Sequence, residues 1–221
     1  MEREIIDSRL QANYESRKNK IGIMGGTFNP IHLGHLFIAE TTLIEVGLDK
    51  VIFIPTGTPP HKKQAAIVDA HHRLHMTALA INHHEKFFLS DIEINREGYS
   101  YTVHTVQELL KIYGQDTEFY FITGSDTFME IETWKNYQQL FALINIVVAT
   151  RLGDNDEDIE LKINYFRKKY QANIIKLPIP ILQISSSDIR ERYQREKTIK
   201  YLIPPEVEAY IKKHRLYENG Q

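Results

Sequence analysis

The sequence of 221 residues has no cysteine, and it has no apolar run long enough to span a membrane. Without cysteine, the chain has no disulfides, no thiolate metal ligands and no cysteine nucleophile, which suits an intracellular enzyme. Excess charge is lacking too, since Lys plus Arg total 27, Asp plus Glu total 29, and the difference is −2. This balance argues against non-specific binding of nucleic acid. Because the N-terminal residues are polar rather than signal-like, we expect a cytoplasmic protein that binds neither membrane nor nucleic acid.

Both familiar phosphate-binding signatures are also missing. The chain has no Gly-x-x-x-x-Gly-Lys-Ser/Thr, and its glycines at 22, 25 and 26 do not form Gly-x-Gly-x-x-Gly. In their place, residues 24–35 read Met-Gly-Gly-Thr-Phe-Asn-Pro-Ile-His-Leu-Gly-His. This stretch follows the apolar run 20–24 and precedes apolar residues at helical spacing, which predicts a junction between a buried strand and an amphipathic helix.

The junction has the chemistry of a phosphate site. Gly25 and Gly26 allow the backbone to turn tightly and approach a ligand, and the helix start presents N–H groups at its positive end. His32 and His35 are three residues apart, so their imidazoles are neighbours on a helix and can donate hydrogen bonds to phosphate oxygens. We therefore expect a triphosphate here; a plain turn with two surface histidines is the alternative.

A second strand end repeats this logic further along the chain. The strand predicted at 118–123 runs into Gly124, Ser125 and Asp126, where glycine permits close approach and a carboxylate can accept hydrogen bonds from ribose hydroxyls. Capping of the following helix by Ser125 or Asp126 explains the same residues equally well. The only tryptophan, Trp134, follows shortly after and is either a core residue or a platform for an aromatic ligand ring.

Three more segments place polar groups at helix or strand ends. Residues 100–102, Ser-Tyr-Thr, open a predicted helix, where they either cap it or offer a hydroxyl and N–H groups to a carboxylate or amide. Residues 184–190 open another helix, in which Arg190 follows Ser186 by one turn, so both face one anion or form a cap with a surface arginine. The proline-rich loop 55–62 follows a strand and faces the ligand crevice expected of an open sheet.

Histidines also cluster on the helix predicted at 69–84. His71 and His75 lie one turn apart, as metal ligands can, but the chain has no cysteine and the pattern indicates no third ligand, so surface histidines are favoured. Between them, Arg73 is an anion contact, a surface charge or a partner of Asp69. The residues expected on one apolar side of this helix are Leu74, Ala78 and Ile81.

The order of these elements predicts the fold class. Apolar β-rich runs alternate with helical patterns, which predicts an α/β protein with a Rossmann-like open parallel sheet, helices on both faces and a small C-terminal helical elaboration. We expect residues 1–19 to form an N-terminal extension and residues 20–221 to form one domain. The strands are expected at 20–24, 50–54, 87–90, 118–123, 145–150 and 173–177, with a further short one at 92–94.

Taken together, these motifs resemble one family, the bacterial nicotinate-nucleotide adenylyltransferases of the nucleotidyltransferase superfamily. The resemblance runs in order from residue 20 almost to the end of the chain. The matching segments are 25–35, 55–62, 100–102, 124–126 with Trp134, Arg151, 184–190 and 201–205. Two residues depart from the usual pattern: Asn29 stands where many members carry Asp, and Tyr137 stands where a second aromatic residue, often Trp, is common. We assign residue 29 no catalytic role.

The resemblance implies transfer of the adenylyl group of ATP to nicotinate mononucleotide, giving deamido-NAD and pyrophosphate. Mg2+ would accompany ATP, no protein metal ligand is assigned, and a homo-oligomer is compatible with the sequence. The alternatives are transfer to nicotinamide mononucleotide or phosphopantetheine, and nucleotide sensing without turnover.

The resemblance also implies roles for individual residues. The implied catalytic residues, which would stabilise charge on the phosphates, are His32, His35 and Arg190. The implied ATP-binding residues are Gly25, Gly26, Thr27, Phe28, His32, His35, Gly124, Asp126, Arg151, Ser186 and Arg190. The implied mononucleotide-binding residues are Lys62, Ser100, Tyr101, Thr102 and Trp134. The nicotinate ring would stack on Trp134, and its carboxylate would lie near Thr102.

Overall fold

A computed structural model describes residues 18–59, 67–114, 116–151, 155–180 and 184–218. The described part of the chain contains a six-stranded sheet in which every neighbouring pair of strands is parallel. Its strands are β1 (Asn19–Gly26), β2 (Lys50–Pro55), β3 (Phe87–Leu89), β4 (Thr117–Gly124), β5 (Asn145–Thr150) and β6 (Ile174–Pro178). Each of the six main strands expected from apolar β-rich runs is present, and β5 has the expected bounds.

The strand order explains where a ligand site can form. The order is β3-β2-β1-β4-β5-β6, so the chain winds outward in one direction from β1 and in the other direction from β4. Parallel strands leave all their carboxyl ends at one edge of the sheet, and the crevice lies where the winding reverses. The ends of β1 and β4, at Gly26 and Gly124, therefore flank the expected crevice.

Helices cover both faces of the sheet, as the sequence predicts. The described α-helices are α1 (Leu33–Glu45), α2 (Ala70–Ile81), α3 (Thr102–Tyr113), α4 (Ser125–Met129), α5 (Tyr137–Leu143), α6 (Asp156–Tyr170), α7 (Ser186–Gln194) and α8 (Pro205–Lys213). Helices α1, α2, α7 and α8 share one apolar core, and α3 to α6 share the other. Within the described ranges, no helix is both long and apolar enough to cross a membrane.

Alternation along the strands divides the sheet between these two cores. Phe53 and Ile122 point to the core with α1 and α2, whereas Ile52 and Phe121 point to the core with α3 to α6. Both faces are therefore apolar, which is why these strands are continuous apolar runs rather than alternating ones. The expected C-terminal helical elaboration corresponds to α7 and α8, which pack on the α1 face.

Two sequence predictions fail, for identifiable reasons. Residues 92–94 form a turn instead of a strand, because the amides of Ile94 and Asn95 both donate to the carbonyl of Asp91. On α2, the expected apolar side is correct for the buried Ile81 but wrong for Leu74 and Ala78, which are only half-buried because Arg73, Met76 and Thr77 face inward instead. The fully covered side chains on α2 are Arg73, Met76, Thr77 and Ile81.

Candidate active site

An open cavity of about 740 Å3 lies at the carboxyl edge of the sheet, where β1 and β4 end. This volume falls within the range of small-molecule sites. The cavity is lined by the β1–α1 turn, the loop after β2, the start of α3, the end of β4 with the segment that follows it, and the start of α7. Almost every residue that the sequence singles out as a ligand contact borders this one cleft, although the segments are far apart in the chain.

The β1–α1 turn has a fixed shape. Phe28 has a positive φ of 48°, its ring is buried, and the Asn29–Pro30 peptide bond is cis. A Cβ on Gly26 would lie 2.9 Å from the Phe28 ring, so a glycine is needed at this position. The close approach that Gly26 permits is therefore to Phe28, within the turn itself.

The two histidines of the turn lie against each other at the start of α1. His32 is the N-cap residue, and its backbone N–H donates to Nδ1 of His35 at 3.2 Å. The two imidazoles stack with their centroids 3.6 Å apart, and both line the cleft. The prediction that they are neighbours is confirmed, although His32 has an extended backbone and lies just before the helix instead of on its face. The hydrogen bond shows that Nδ1 of His35 is an acceptor.

His32 is held in its neutral form. Its side chain is buried, and Nδ1 has no hydrogen-bond partner among the described residues. Burial, together with the positive charge of Arg151, lowers the pKa of His32 from 6.5 to about 4. Since Nδ1 is itself buried, a hydrogen bond from His32 to a ligand in the cleft would use Nε2.

Ser186 and Arg190 meet the β1–α1 turn from the other end of the chain. The Ser186 hydroxyl donates to the carbonyl of Pro30 at 2.8 Å, and Nη1 of Arg190 donates to the carbonyl of Asn29 at 2.8 Å. Ser185, not Ser186, caps α7 by accepting a hydrogen bond from a backbone amide. Ser186 and Arg190 therefore lie together at the cleft, as predicted. Their hydrogen bonds also stabilise the β1–α1 turn.

The end of β4 brings Asp126 and Arg151 together. Gly124 is the N-cap residue of α4, and neither Ser125 nor Asp126 caps the helix with its side chain. Instead, the exposed Asp126 carboxylate lies 3.6 Å from Nη1 of Arg151, at the end of the neighbouring strand β5. Both side chains line the cleft, so a ligand bound at this edge would contact a carboxylate and a guanidinium.

The opposite part of the cleft contains the predicted mononucleotide residues. Ser100, Tyr101 and Thr102 border it at the start of α3, and Trp134 borders it with its ring perpendicular to that of Phe121. Trp134 is half-buried, as expected of a side chain that lines a pocket. The remaining predicted contact, Lys62, falls in 60–66, outside the described residues.

Ser100 does not cap α3, which is one of its two predicted roles, but is hydrogen-bonded to Thr58. Its hydroxyl accepts a hydrogen bond from the amide of Thr58 at 3.3 Å, and its amide donates to the carbonyl of Thr58 at 2.9 Å. Tyr101 occupies the N-cap position instead. Ser100 therefore fixes the loop after β2, which the sequence places at the crevice.

Sequence reasoning misses Glu93, which lies at the wall of the cleft. Its carboxylate is buried, accepts a hydrogen bond from the Thr105 hydroxyl at 2.7 Å, and borders the same cavity as Ser100. Burial raises the pKa of Glu93, while the Thr105 hydrogen bond and the charge of Arg96 oppose the rise. The run that contains Glu93 resembles a short strand in sequence, so no local pattern indicates that its carboxylate is buried at the cleft.

Arg73 is also placed differently from every sequence expectation. Its side chain is only 2% exposed, so it is not a surface charge. Its guanidinium donates to the carbonyls of Val68 at 3.1 Å, Thr27 at 2.8 Å and Gly57 at 3.0 Å. These are hydrogen bonds to backbone carbonyls and not to an anion or to Asp69. Because Thr27 and Gly57 are distant from Arg73 in sequence, no pattern around residue 73 indicates them.

The chain is similar in sequence to proteins of known family. The family model described as cytidylyltransferase-like matches residues 23–192. A protein of Thermoanaerobacter sp. (strain X514), named probable nicotinate-nucleotide adenylyltransferase, is 49% identical over 205 residues, which are 93% of this chain and 97% of the relative. A protein of the same name from Moorella thermoacetica is 45% identical over 205 residues, with 93% and 94% covered.

Two solved structures have a similar fold. The Plasmodium falciparum nicotinic acid mononucleotide adenylyltransferase complexed with NaAD matches with a TM-score of 0.75 at 25% identity, over 90% of this chain and 97% of that one. A second structure of the Plasmodium protein, complexed with APC, has a TM-score of 0.73 at 24% identity over 90% and 97% of the two chains, and it supports the fold.

The low pKa of His32 predicts a specific dependence of stability on pH. Well above pH 6.5, His32 is neutral in both the folded and the unfolded chain, so it does not lower the free energy of unfolding. As the pH falls from 6.5 towards about 4, only the unfolded chain binds the proton, so the free energy of unfolding decreases, by roughly 3 kcal/mol in total.

Urea unfolding at pH 7.0 and pH 4.5 tests this expectation. Replacing His32 with Asn should remove roughly 2 to 3 kcal/mol of the loss in stability that the wild type shows between these two pH values. His71→Asn, which changes an exposed histidine outside the cleft, is the control and should keep the wild-type loss. Equal losses in His32→Asn and the wild type would show that His32 is not held neutral.

Proposed function

The chain belongs to the nicotinate-nucleotide adenylyltransferases of the cytidylyltransferase-like family, and we propose that its cleft transfers the adenylyl group of ATP to nicotinate mononucleotide. The products are deamido-NAD and pyrophosphate. The proposal depends on one observation: His32, His35 and Arg190 line the same cleft as Thr102 and Trp134. The first group suits a polyphosphate, and the second suits an aromatic ring with a carboxylate.

The reaction is an in-line displacement on the α-phosphorus of ATP. An oxygen of the mononucleotide phosphate forms the new P–O bond, and the bond from the α-phosphorus to the bridging oxygen breaks as pyrophosphate leaves with its electron pair. The attacking phosphate is already an anion, so no general base is required. The protein has to align two polyanions and stabilise the charge that develops on pyrophosphate.

His32, His35 and Arg190 are proposed to meet the phosphates. Because Nδ1 of His35 accepts the His32 amide, a neutral His35 carries its proton on Nε2, where it is a hydrogen-bond donor. A neutral His32 likewise offers one donor, so the pair stabilises charge through oriented hydrogen bonds. Arg190 adds a permanent positive charge at the same turn.

Magnesium enters this scheme with the substrate. Among the described residues, no three His, Cys, Asp or Glu side chains form a group that could hold a metal ion. Mg2+ commonly retains water ligands and is held by substrate phosphates with one or two carboxylates, so this donor set fits a metal that arrives as the ATP complex. Bound in that form, Mg2+ would neutralise part of the triphosphate charge.

The start of α3 favours an acid over an amide in the acceptor substrate. The N-terminus of a helix attracts negative charge, and the first turn of α3, which begins at Thr102, has no acidic residue of its own. The nearby Glu93 carboxyl is bonded by Thr105, and burial raises its pKa, which reduces the negative charge that would oppose a ligand anion. A nicotinate carboxylate can use these N–H and hydroxyl donors fully, whereas a carboxamide also needs an acceptor. This supports nicotinate over nicotinamide mononucleotide.

The proposed function is tested by offering three acceptors in parallel. The protein is incubated with ATP and Mg2+ together with nicotinate mononucleotide, nicotinamide mononucleotide or phosphopantetheine, and pyrophosphate release is measured. We expect nicotinate mononucleotide to give the highest kcat/KM. A faster reaction with either other acceptor would replace the proposed substrate, and no release with any of them would indicate a binding module.

Replacing His35 with Ala should lower kcat by roughly a hundredfold or more, as expected for loss of a donor to the transition state. The measurement is the initial rate of pyrophosphate release with both substrates saturating. The control is His84→Ala, which changes a histidine outside the cleft and should keep the wild-type rate. A His35→Ala rate equal to that of the control would contradict the proposed role.

Replacing Trp134 with Ala should mainly weaken binding of the mononucleotide, by roughly 1 to 3 kcal/mol if the pyridine ring stacks as nucleobases do on aromatic side chains. Trp134→Phe retains a ring and should lose less. Affinity is measured by titrating each variant with nicotinate mononucleotide, with ATP titrated separately as the control. Wild-type affinity for the mononucleotide in Trp134→Ala would refute the stacking.

A further inference from the structure

Arg73 is a buried cation, and its three hydrogen bonds to residues that the structure describes all go to backbone carbonyls. Taking a guanidinium out of water is costly, and burial lowers the pKa of Arg73. The carboxyl groups of Asp69 and Glu93 oppose this lowering only at longer range, since neither is hydrogen-bonded to Arg73. The cost is offset by the three carbonyls that the guanidinium satisfies, which an apolar side chain would leave without this donor.

The three carbonyls belong to three different segments. Val68 immediately precedes α2, Thr27 lies in the β1–α1 turn, and Gly57 lies in the loop after β2. The planar guanidinium presents several N–H groups in a fixed fork, so one side chain sets the relative position of all three segments. A lysine at this position has a similar charge but only a single nitrogen, and it cannot reproduce the fork.

The loop after β2 extends this connection across the cleft. A Cβ on Gly57 would lie 2.2 Å from the backbone oxygen of Glu93, so the loop is packed directly against the segment before α3. The next residue, Thr58, exchanges two hydrogen bonds with Ser100. A continuous series of contacts therefore runs from Thr27 through Arg73 and this loop to the start of α3.

We propose that Arg73 is a positioning residue that fixes the ATP half of the cleft, built on the β1–α1 turn, relative to the mononucleotide half, built on the β2 loop and the start of α3. This inference rests on the proposed function, in which the two halves bind the two reacting phosphates. The reaction depends on their alignment, so an error in the relative position of the halves lowers the rate even when each half still binds its substrate.

A positioning role and a merely structural role of Arg73 predict different results for kcat and for substrate binding. If Arg73 only stabilises the fold, its loss reduces the amount of active protein, and the folded fraction reacts normally. If Arg73 aligns the halves, fully folded protein has a low kcat while each substrate alone binds with nearly unchanged affinity. The difference between kcat and the two separate dissociation constants is therefore the decisive quantity.

The experiment compares Arg73→Lys and Arg73→Met with Met76→Ala, all in the full chain. Met76 is fully buried on the same helix, and its replacement destabilises the same packing without removing a bond to either loop. Unfolding curves set a temperature at which each variant is folded. ATP and nicotinate mononucleotide are then titrated separately, and kcat is measured with both saturating.

We expect both Arg73 variants to lose roughly a hundredfold in kcat, as a misplacement of about 1 Å can cause, with far smaller changes in either dissociation constant. Met76→Ala should retain the wild-type kcat. A kcat of Arg73→Lys equal to that of Met76→Ala, or a loss confined to the dissociation constants, would overturn the proposal. If Arg73→Met does not fold, Arg73→Lys decides.

Hydrogen exchange gives a readout that does not depend on the reaction. Amide exchange around residues 27–28 and 57–58 should become faster in Arg73→Lys, while the core of α2 stays as protected as in Met76→Ala. Unchanged exchange in both loops would refute the connection itself. If the wild type transfers no adenylyl group, the proposed function fails, whereas the exchange result still reports whether Arg73 holds the two loops.

Discussion

The need to satisfy the carbonyl groups of residues 27–30 organises the ligand edge of this protein. A tight turn that leaves a sheet has backbone acceptors with no partner in a regular element, and buried acceptors of this kind must be bonded. Here the donors are side chains: Arg73 bonds the first carbonyl, Arg190 the third and Ser186 the fourth. The turn that carries the histidines therefore has its shape only when distant parts of the chain have folded against it.

This dependence also explains why α7 and α8 belong to the site although they follow the last strand. Ser186 and Arg190 reach the turn from α7, and Tyr217, which follows α8, donates to the side-chain oxygen of Asn29 at 2.9 Å. Helix α8 in turn packs against α2, which carries Arg73. The same residues that close the apolar core on one face thus fix the groups that face the cleft.

The sequence predicts the architecture well because the architecture depends on local apolar patterns and on chain order. The parallel sheet, its two helical faces and the convergence of the motif residues follow from strand ends that share one edge. The failures have two causes. At 92–94 local backbone hydrogen bonds to Asp91 form a turn, and elsewhere hydrogen bonds over long sequence separations override local propensity. Arg73 turns an apparently polar position of α2 inward, and Ser100 bonds Thr58 instead of capping its own helix. The neutral state of His32 is equally invisible in the sequence, since it results from burial and from Arg151.

The same reasoning accounts for Asn29, the departure from the usual motif. Its side chain is almost fully buried, and Oδ1 accepts hydrogen bonds from the Tyr217 hydroxyl and from the amide of Val68 at 3.3 Å. Asparagine and aspartate both present an oxygen at this place, so either can accept the same two donors. The aspartate would add a buried negative charge beside Arg190, whereas asparagine leaves the positive charge of Arg190 undiminished. Residue 29 therefore acts as an acceptor that anchors the turn, a role that asparagine and aspartate can both fill.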